Sequence, residues 1–207
     1  MHLTSLQEED NVRHPLLKIW NLQATDKKSS TKSPLLLRSV KVQSGNRPHP
    51  VSTIALTASL SYLAVGLADG TVLLYRHLDQ SIFNGSTSLT SVPKPRVILD
   101  GAADAVTGLG FREPTADNPN VHLFIVTLNQ VLAYQVTGKG SGGTPAAVDE
   151  VGCALGCAVM DQASKDIVVA RDEALYVCGI DGRGACYAYE GMYGPPSAFL
   201  FPVQSST

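Results

Sequence analysis

Tyr62-Leu-Ala-Val-Gly-Leu-Ala-Asp-Gly-Thr-Val-Leu-Leu-Tyr75 is an apolar run, an Asp69-Gly70 corner and a second run that alternates toward the tyrosine. Asp-Gly suits a two-residue hairpin, because both central residues of a type I′ turn need φ > 0. The pattern recurs downstream. Phe124-Ile-Val-Thr-Leu-Asn-Gln-Val-Leu-Ala-Tyr134 is expected to turn at Asn129-Gln130, and Ile167-Val-Val-Ala-Arg-Asp-Glu-Ala-Leu-Tyr176 near Asp172-Glu173. Repeated hairpins of this kind predict an array of small sheets, an architecture that more often binds than catalyses.

Working outward, strand patterns occur almost everywhere and no convincing helix does. Residues 16–22 and 35–42 read as strands separated by a Lys/Ser/Thr-rich loop. Residues 51–57, 62–67, 71–77 and 96–100 form a second unit, interrupted at 79–94 by a Ser/Thr/Asn-rich loop long enough to be an insertion. Strands at 106–111, 121–128 and 131–137 follow, then strands at 152–160, 167–170, 174–179 and 185–190. Val51-Ser-Thr-Ile, Val106-Thr-Gly-Leu and Gly152-Cys-Ala-Leu hold one slot in successive units, 55 and 46 residues apart (51 to 106, 106 to 152). Discounting the insertion, both intervals approach the roughly 40–45 residues of a WD40-like propeller blade. A β-helix needs shorter rungs, and a sandwich does not restart one four-strand pattern. The fold class expected is therefore all-β: a WD40-like β-propeller fragment of about three blades plus part of a preceding blade. Residues 1–191 would form this partial propeller, and residues 192–207 a divergent irregular tail carrying the adjacent prolines Pro195 and Pro196. Such an arc leaves blade faces and strand edges uncovered, which favours marginal stability or association.

Composition narrows the function. The chain has 207 residues, 44% hydrophobic and 16% charged, with 16 basic and 18 acidic side chains and a formal net charge of −2. Those values describe a globular chain and give no electrostatic case for nucleic acid or an anionic membrane. Residues 1–10 lack the basic start and apolar stretch of a secretory signal. Residues 118–138 carry no formal charge, but His122, Asn129, Gln130 and Gln135 interrupt them, so no membrane span or direct membrane insertion is expected. The sequon Asn84-Gly85-Ser86 then reads as a bare loop. Cys153, Cys157, Cys178 and Cys186 are separated by three, twenty and seven residues, which matches no paired zinc module. Cys153 and Cys157 fall on an expected strand, on one face and about 13 Å apart, too far for one disulfide or one metal. Small buried thiols are the reading.

Few residues invite chemistry. His49 ahead of its strand and Asp69 in the tight turn resemble WD40 placement, where such side chains bond between neighbouring loops, although Leu67 and Tyr75 stand near the expected serine and tryptophan. No nucleophile accompanies them. Gly138-Lys-Gly-Ser-Gly-Gly143 lacks both the P-loop spacing and the G-x-S-x-G elbow, and reads as a connector. The five histidines, at 2, 14, 49, 77 and 122, show no ligand spacing. Trp20, in Lys18-Ile-Trp-Asn-Leu22, resembles a WD40 strand ending with Asn21 in place of the usual aspartate. No catalytic, cofactor or metal residues are assigned. The insertion beginning at Asp79 and the turn Asp181-Gly-Arg-Gly184, with Arg183, are the candidate partner contacts, since loops on a rigid scaffold carry most binding.

Pro15-Leu-Leu-Lys-Ile-Trp-Asn-Leu22, Val106-Thr-Gly-Leu-Gly-Phe-Arg112, His122-Leu-Phe-Ile-Val-Thr127, Gly152-Cys-Ala-Leu-Gly-Cys157 and Asp181-Gly-Arg-Gly-Ala-Cys-Tyr-Ala-Tyr-Glu-Gly191 resemble, in that order, the vacuolar protein sorting-associated protein 11 family. That family supplies the class C core subunit of the HOPS and CORVET tethering complexes. The resemblance covers residues 14–191 and implies a seven-bladed propeller, followed in the family by an α-solenoid and a RING finger. It further implies a non-enzymatic scaffold acting in vesicle transport and membrane fusion at endosome and vacuole or lysosome. Its implied partners are other class C subunits and, indirectly, Rab GTPases and SNAREs; its implied place is cytoplasmic, peripheral on those membranes. Against the family pattern the sequence starts inside the second blade and diverges after Gly191, and the solenoid and RING lie outside it. A generic WD40 adaptor and, with one Trp and no repeated acidic motif to support it, a propeller enzyme are the other readings.

Overall fold

Alternation of apolar residues along a strand gives it two faces, and here both are used. The structure is a computed structural model that describes residues 2–7 (backbone only), 14–22, 24, 32–42, 48–83, 92, 94–101, 104–137 and 143–188. Its strands are β1 (His2–Gln7), β2 (Leu16–Asn21), β3 (Leu35–Lys41), β4 (Val51–Leu56), β5 (Tyr62–Leu67), β6 (Val72–Arg76), β7 (Arg96–Leu99) and β8 (Val106–Arg112). They continue as β9 (Val121–Thr127), β10 (Val131–Val136), β11 (Ala146–Asp149), β12 (Ala158–Met160), β13 (Ile167–Arg171), β14 (Ala174–Gly179) and β15 (Gly182–Ala188). They pair into four antiparallel meanders: β1-β2-β3, β4-β5-β6-β7, β8-β9-β10-β11 and β12-β13-β14-β15. This is the expected all-β, propeller-like arrangement.

Each sheet sends one set of alternating residues backward and the other forward. Leu17 and Ile19 of the first sheet share a core with Leu63, Val65, Leu73 and Tyr75 of the second. The intervening Ala64, Val72 and Leu74 face the third sheet, meeting Leu123, Ile125, Leu132 and Tyr134. Phe124, Val126 and Val131 then face the fourth, meeting Ile167, Val169 and Cys178. A one-residue slip in any strand would exchange these two sets, so both cores fix the register. Glycines let the sheets close up on one side. A Cβ on Gly66 would stand 2.7 Å from Val106 Cγ1, and one on Gly108 2.7 Å from the Cβ of Ala158. The innermost strands β4, β8 and β12 thereby lie against one another.

Several expectations need correction. Residues 78–83, expected as loop, form the short helix α1 (Leu78–Phe83), so Asp79 sits in its first turn. Leu78, fully buried, and Ile82 pack one helical turn apart on the first core, and His77 breaks the strand before them with φ 57°. Two strands went unforeseen. β1 is held by pairing with β2, and β11, with the weak strand sequence Ala-Ala-Val-Asp, by its edge pairing with β10. Arg183 lies inside β15, which begins at Gly182; the expected turn there is confined to the residues before it.

Turn chemistry differs as well. Of Asp69 and Gly70 only Gly70 has positive φ, 88°. The loop is three residues long, closed by Gly70 N donating to Leu67 O at 3.1 Å and Leu67 N to Thr71 O at 2.9 Å. The Asp69 carboxylate accepts from Thr71 N and Thr71 Oγ1, both at 3.0 Å, which holds Asp69 out of the I′ conformation. The next hairpin turns at Leu128-Asn129, not Asn129-Gln130, since Val126 pairs with Val131. Asp172 and Glu173, with φ 47° and 59°, do form the I′ corner.

Candidate interaction surface

Polar side chains in this fold gather where sheets meet. His49, just ahead of β4, places Nε2 3.3 Å from Asp69 Oδ2, the bond between loops that the spacing suggested. Thr71 passes the link on, its Oγ1 accepting from Gly101 N at 3.4 Å. The resulting chain ties the β5–β6 corner to the entry of β4 and the exit of β7. Between sheets, Ala58 N donates to Glu113 Oε1 at 2.5 Å, Arg76 Nη1 to Thr137 O at 3.1 Å, and Arg112 Nη1 to Asp166 Oδ1 at 2.8 Å.

The densest cluster was not anticipated. Asp149, at the end of β11, receives Arg171 Nη2 at 2.7 Å, both side chains being under a tenth exposed. Arg171 Nη1 also donates to Val151 O, and its guanidinium lies 4.2 Å from the Tyr176 ring centroid. Arg183 comes to 3.8 Å from Asp149 Oδ2 and 5.7 Å from the same ring, with half its side chain in solvent. One buried carboxylate thus takes one buried and one exposed cation, and the pair joins the third sheet to the fourth. Arg171 precedes the Asp172-Glu173 corner, so its place on a hairpin was legible; its partner, on an unforeseen strand, was not.

The two candidate contact residues do not converge: Asp79 follows β6 of the second sheet and Arg183 lies on β15 of the fourth. Asp79 Oδ1 is enclosed without a hydrogen-bond partner among the described residues. The rest of the expected insertion, 84–91, and the tail boundary at 191–192 lie outside the described residues, as do the sequon and most of the glycine-rich connector. A groove of about 660 Å³ is lined by residues of β4, β8 and β12, among them Ile54, Leu109 and Val159, together with Glu113 and Lys165.

The cysteine geometry corrects the sequence reading. Residues 151–157 are not strand; Cys153 N donates to Thr127 O at 3.1 Å and the chain turns at Gly156, φ 82°. Gly152 presses against Thr127 O, where no Cβ fits. Cys153, Cys157 and Cys178 consequently share the third core. Burial pushes the thiols of Cys153 and Cys178 up to about 11, so both stay protonated and unreactive at neutral pH. No group of three or more His, Cys, Asp or Glu that could hold a metal occurs among the described residues. No described helix is long and apolar enough to cross a membrane.

The family model described as PEP5/VPS11 N-terminal matches residues 1–197. The chain belongs to that family. This VPS11-family chain is 33% identical over 191 residues, 91% of its length, to the vacuolar protein sorting-associated protein 11 homologs of Mus musculus and of Homo sapiens. The Dictyostelium discoideum homolog is 30% identical over 193 residues, 92% of the chain. In each case the matched part is 18% of the relative, so the VPS11-family chain spans under a fifth of the curated proteins it matches.

Proposed function

We propose that this chain is a non-enzymatic protein-interaction scaffold from a HOPS/CORVET-type tethering subunit, acting in vesicle transport to endosome and vacuole or lysosome and in membrane fusion. The observation that carries the reading is the family match over residues 1–197, with relatives named for vacuolar protein sorting. The polar chemistry agrees with it: His49, Asp69, Arg112, Asp149 and Arg171 are engaged in joining loops and sheets, which leaves a rigid frame to present surface. Its partners are other class C tethering subunits, and through them Rab GTPases and SNAREs, with the protein peripheral on those membranes from the cytoplasmic side. Asp79 and Arg183 mark the surfaces through which it meets them.

Affinity capture on the tagged chain from cytosol, read by mass spectrometry, tests this. Enrichment of other class C subunits, reduced by D79K or R183E, is the expected outcome. Recovery of a coat or nuclear scaffold instead would show an adaptor of another pathway.

A further inference from the structure

Nine large apolar side chains are exposed among the described residues, and six of them lie within strands. The other three, Leu128, Val151 and Leu155, are 50%, 46% and 60% exposed and stand on the loops where the third sheet passes to the fourth. Loop tips ordinarily carry polar or turn-forming residues, so three aliphatic side chains there call for a reason. The loops are also fixed. A Cβ on Gly152 would stand 2.8 Å from the Leu128 carbonyl carbon, so residues 151–153 lie directly on the β9–β10 corner. Val151 N donates to Asp149 Oδ1 at 3.1 Å, and the Val151 carbonyl accepts from Arg171. Around Leu155 the chain closes a turn, Cys157 N donating to Ala154 O at 3.1 Å, and Ala170 N of β13 holds Cys157 O at 2.8 Å. Backbone bonded in this way loses little further freedom when something binds to it.

Charge around the three side chains has one sign. Glu150 precedes Val151, and the Asp172-Glu173 corner follows directly on Arg171, whose guanidinium reaches back to the Val151 carbonyl. Glu150, Asp172 and Glu173 are all exposed, and none of them forms an ion pair among the described residues. Arg171 is the one cation on these loops, and its side chain is buried and committed to Asp149. Arg183, on β15, also turns to Asp149. An aliphatic centre rimmed by uncompensated carboxylates repels an anionic lipid surface or a phosphorylated segment and attracts a cationic one.

We propose that Leu128, Val151 and Leu155, with Glu150, Asp172 and Glu173 around them, dock a segment of a partner protein that carries aliphatic side chains flanked by lysine or arginine. The aliphatic groups of the segment bury the three exposed side chains, and the carboxylates select its charge and speed its arrival. The loops join two sheets that already share a core, so a further sheet of a propeller would not lie on them. The surface requires neither Asp79 nor Arg183, and the proposal does not depend on which pathway supplies the partner.

Fluorescence anisotropy on the purified 207-residue chain tests this with an array of labelled peptides, leucine, isoleucine or valine flanked by lysine or arginine, each with a twin carrying glutamate for the cations. Members of the cationic series should bind with micromolar dissociation constants, at least about tenfold more tightly than their twins. L128S and L155S should each weaken that binding roughly tenfold with an unchanged thermal midpoint, since both side chains lie in solvent. D172K combined with E173K should weaken the cationic series by a similar factor, favour the acidic twins and remove the salt dependence. V97S, at an equally exposed valine on β7, should change nothing. Failure of every cationic peptide to bind overturns the proposal, as does equal binding of the twins or equal loss in V97S, either of which would show adhesion without selection. Self-association abolished by L155S also overturns it, a second copy then being the occupant. Binding to phosphatidylserine vesicles that L155S abolishes would overturn it in favour of a lipid surface.

Discussion

His122 sits on β9 directly opposite Arg112 of β8, beside the ion pair that Arg112 makes with Asp166 at the third interface. Burial lowers its pKa and the Arg112 charge lowers it further, against smaller raising effects from the Asn120 backbone and Asp181. A histidine whose folded pKa lies below its unfolded value binds fewer protons when native, so its contribution is present at neutral pH. That stability is lost as pH falls through the unfolded value, near 6.5. Chemical denaturation from pH 7.5 to 5 should show a falling midpoint, and H122Q should flatten that part of the slope. The thiols offer a second check. Cys186 is exposed, whereas Cys153 and Cys178 are buried and pushed up to about 11. Iodoacetamide at pH 7.5, followed by peptide mapping, should label Cys186 first and leave Cys153 and Cys178 unlabelled until the protein unfolds. Equal labelling rates would show an open third core.

At the scale of strands, the contrast between Gly108 and Gly110 isolates what sets the spacing of the inner strands. A Cβ at Gly108 meets the Cβ of Ala158, 2.7 Å away and fixed to the backbone of β12, whereas one at Gly110 meets the flexible end of Met160. G108A should cost about 1–3 kcal/mol by forcing β8 and β12 apart, G110A less, and A158G should restore most of the loss in the double variant. Urea denaturation of the four proteins measures this. The Asp149–Arg171 pair gives the same interface a polar test. R171M leaves a buried carboxylate with the Val151 N–H and, as counter-charge, the more distant Arg183, and should cost roughly 3 kcal/mol, while R183M should cost under about 1 kcal/mol.

These elements also show what the sequence made readable. Strands such as Tyr62–Leu67 and Ala174–Gly179 were legible to the residue, because two alternating apolar sets bounded by turn residues leave one register. β1 and β11 were not, since their residues carry little strand preference and only pairing with β2 and β10 decides them. The His49–Asp69 link was legible because both residues sit at fixed offsets in a repeat. The Asp149–Arg171 pair spans two repeats and depends on a strand that local pattern could not supply.

For the molecule as a whole, each sheet draws its core from its immediate neighbours, so stability is distributed along a line of interfaces. The second and third sheets have both faces covered; β5, β6, β9 and β10 are buried almost throughout. Among the described residues the fourth sheet is packed on one face, and its outer strand β15 is exposed at nearly every residue. Among the described residues, opening therefore costs least at the first and fourth sheets, where one core is given up, and most in the middle, where two are. Hydrogen exchange should release β3 and β15 first, then β14 and β13, and β9 and β10 last. L123A, which weakens only the second interface, should lower protection in the second and third sheets more than in β14 and β15. If all four sheets exchanged together, before and after L123A, the chain would be a single cooperative block instead of a stack.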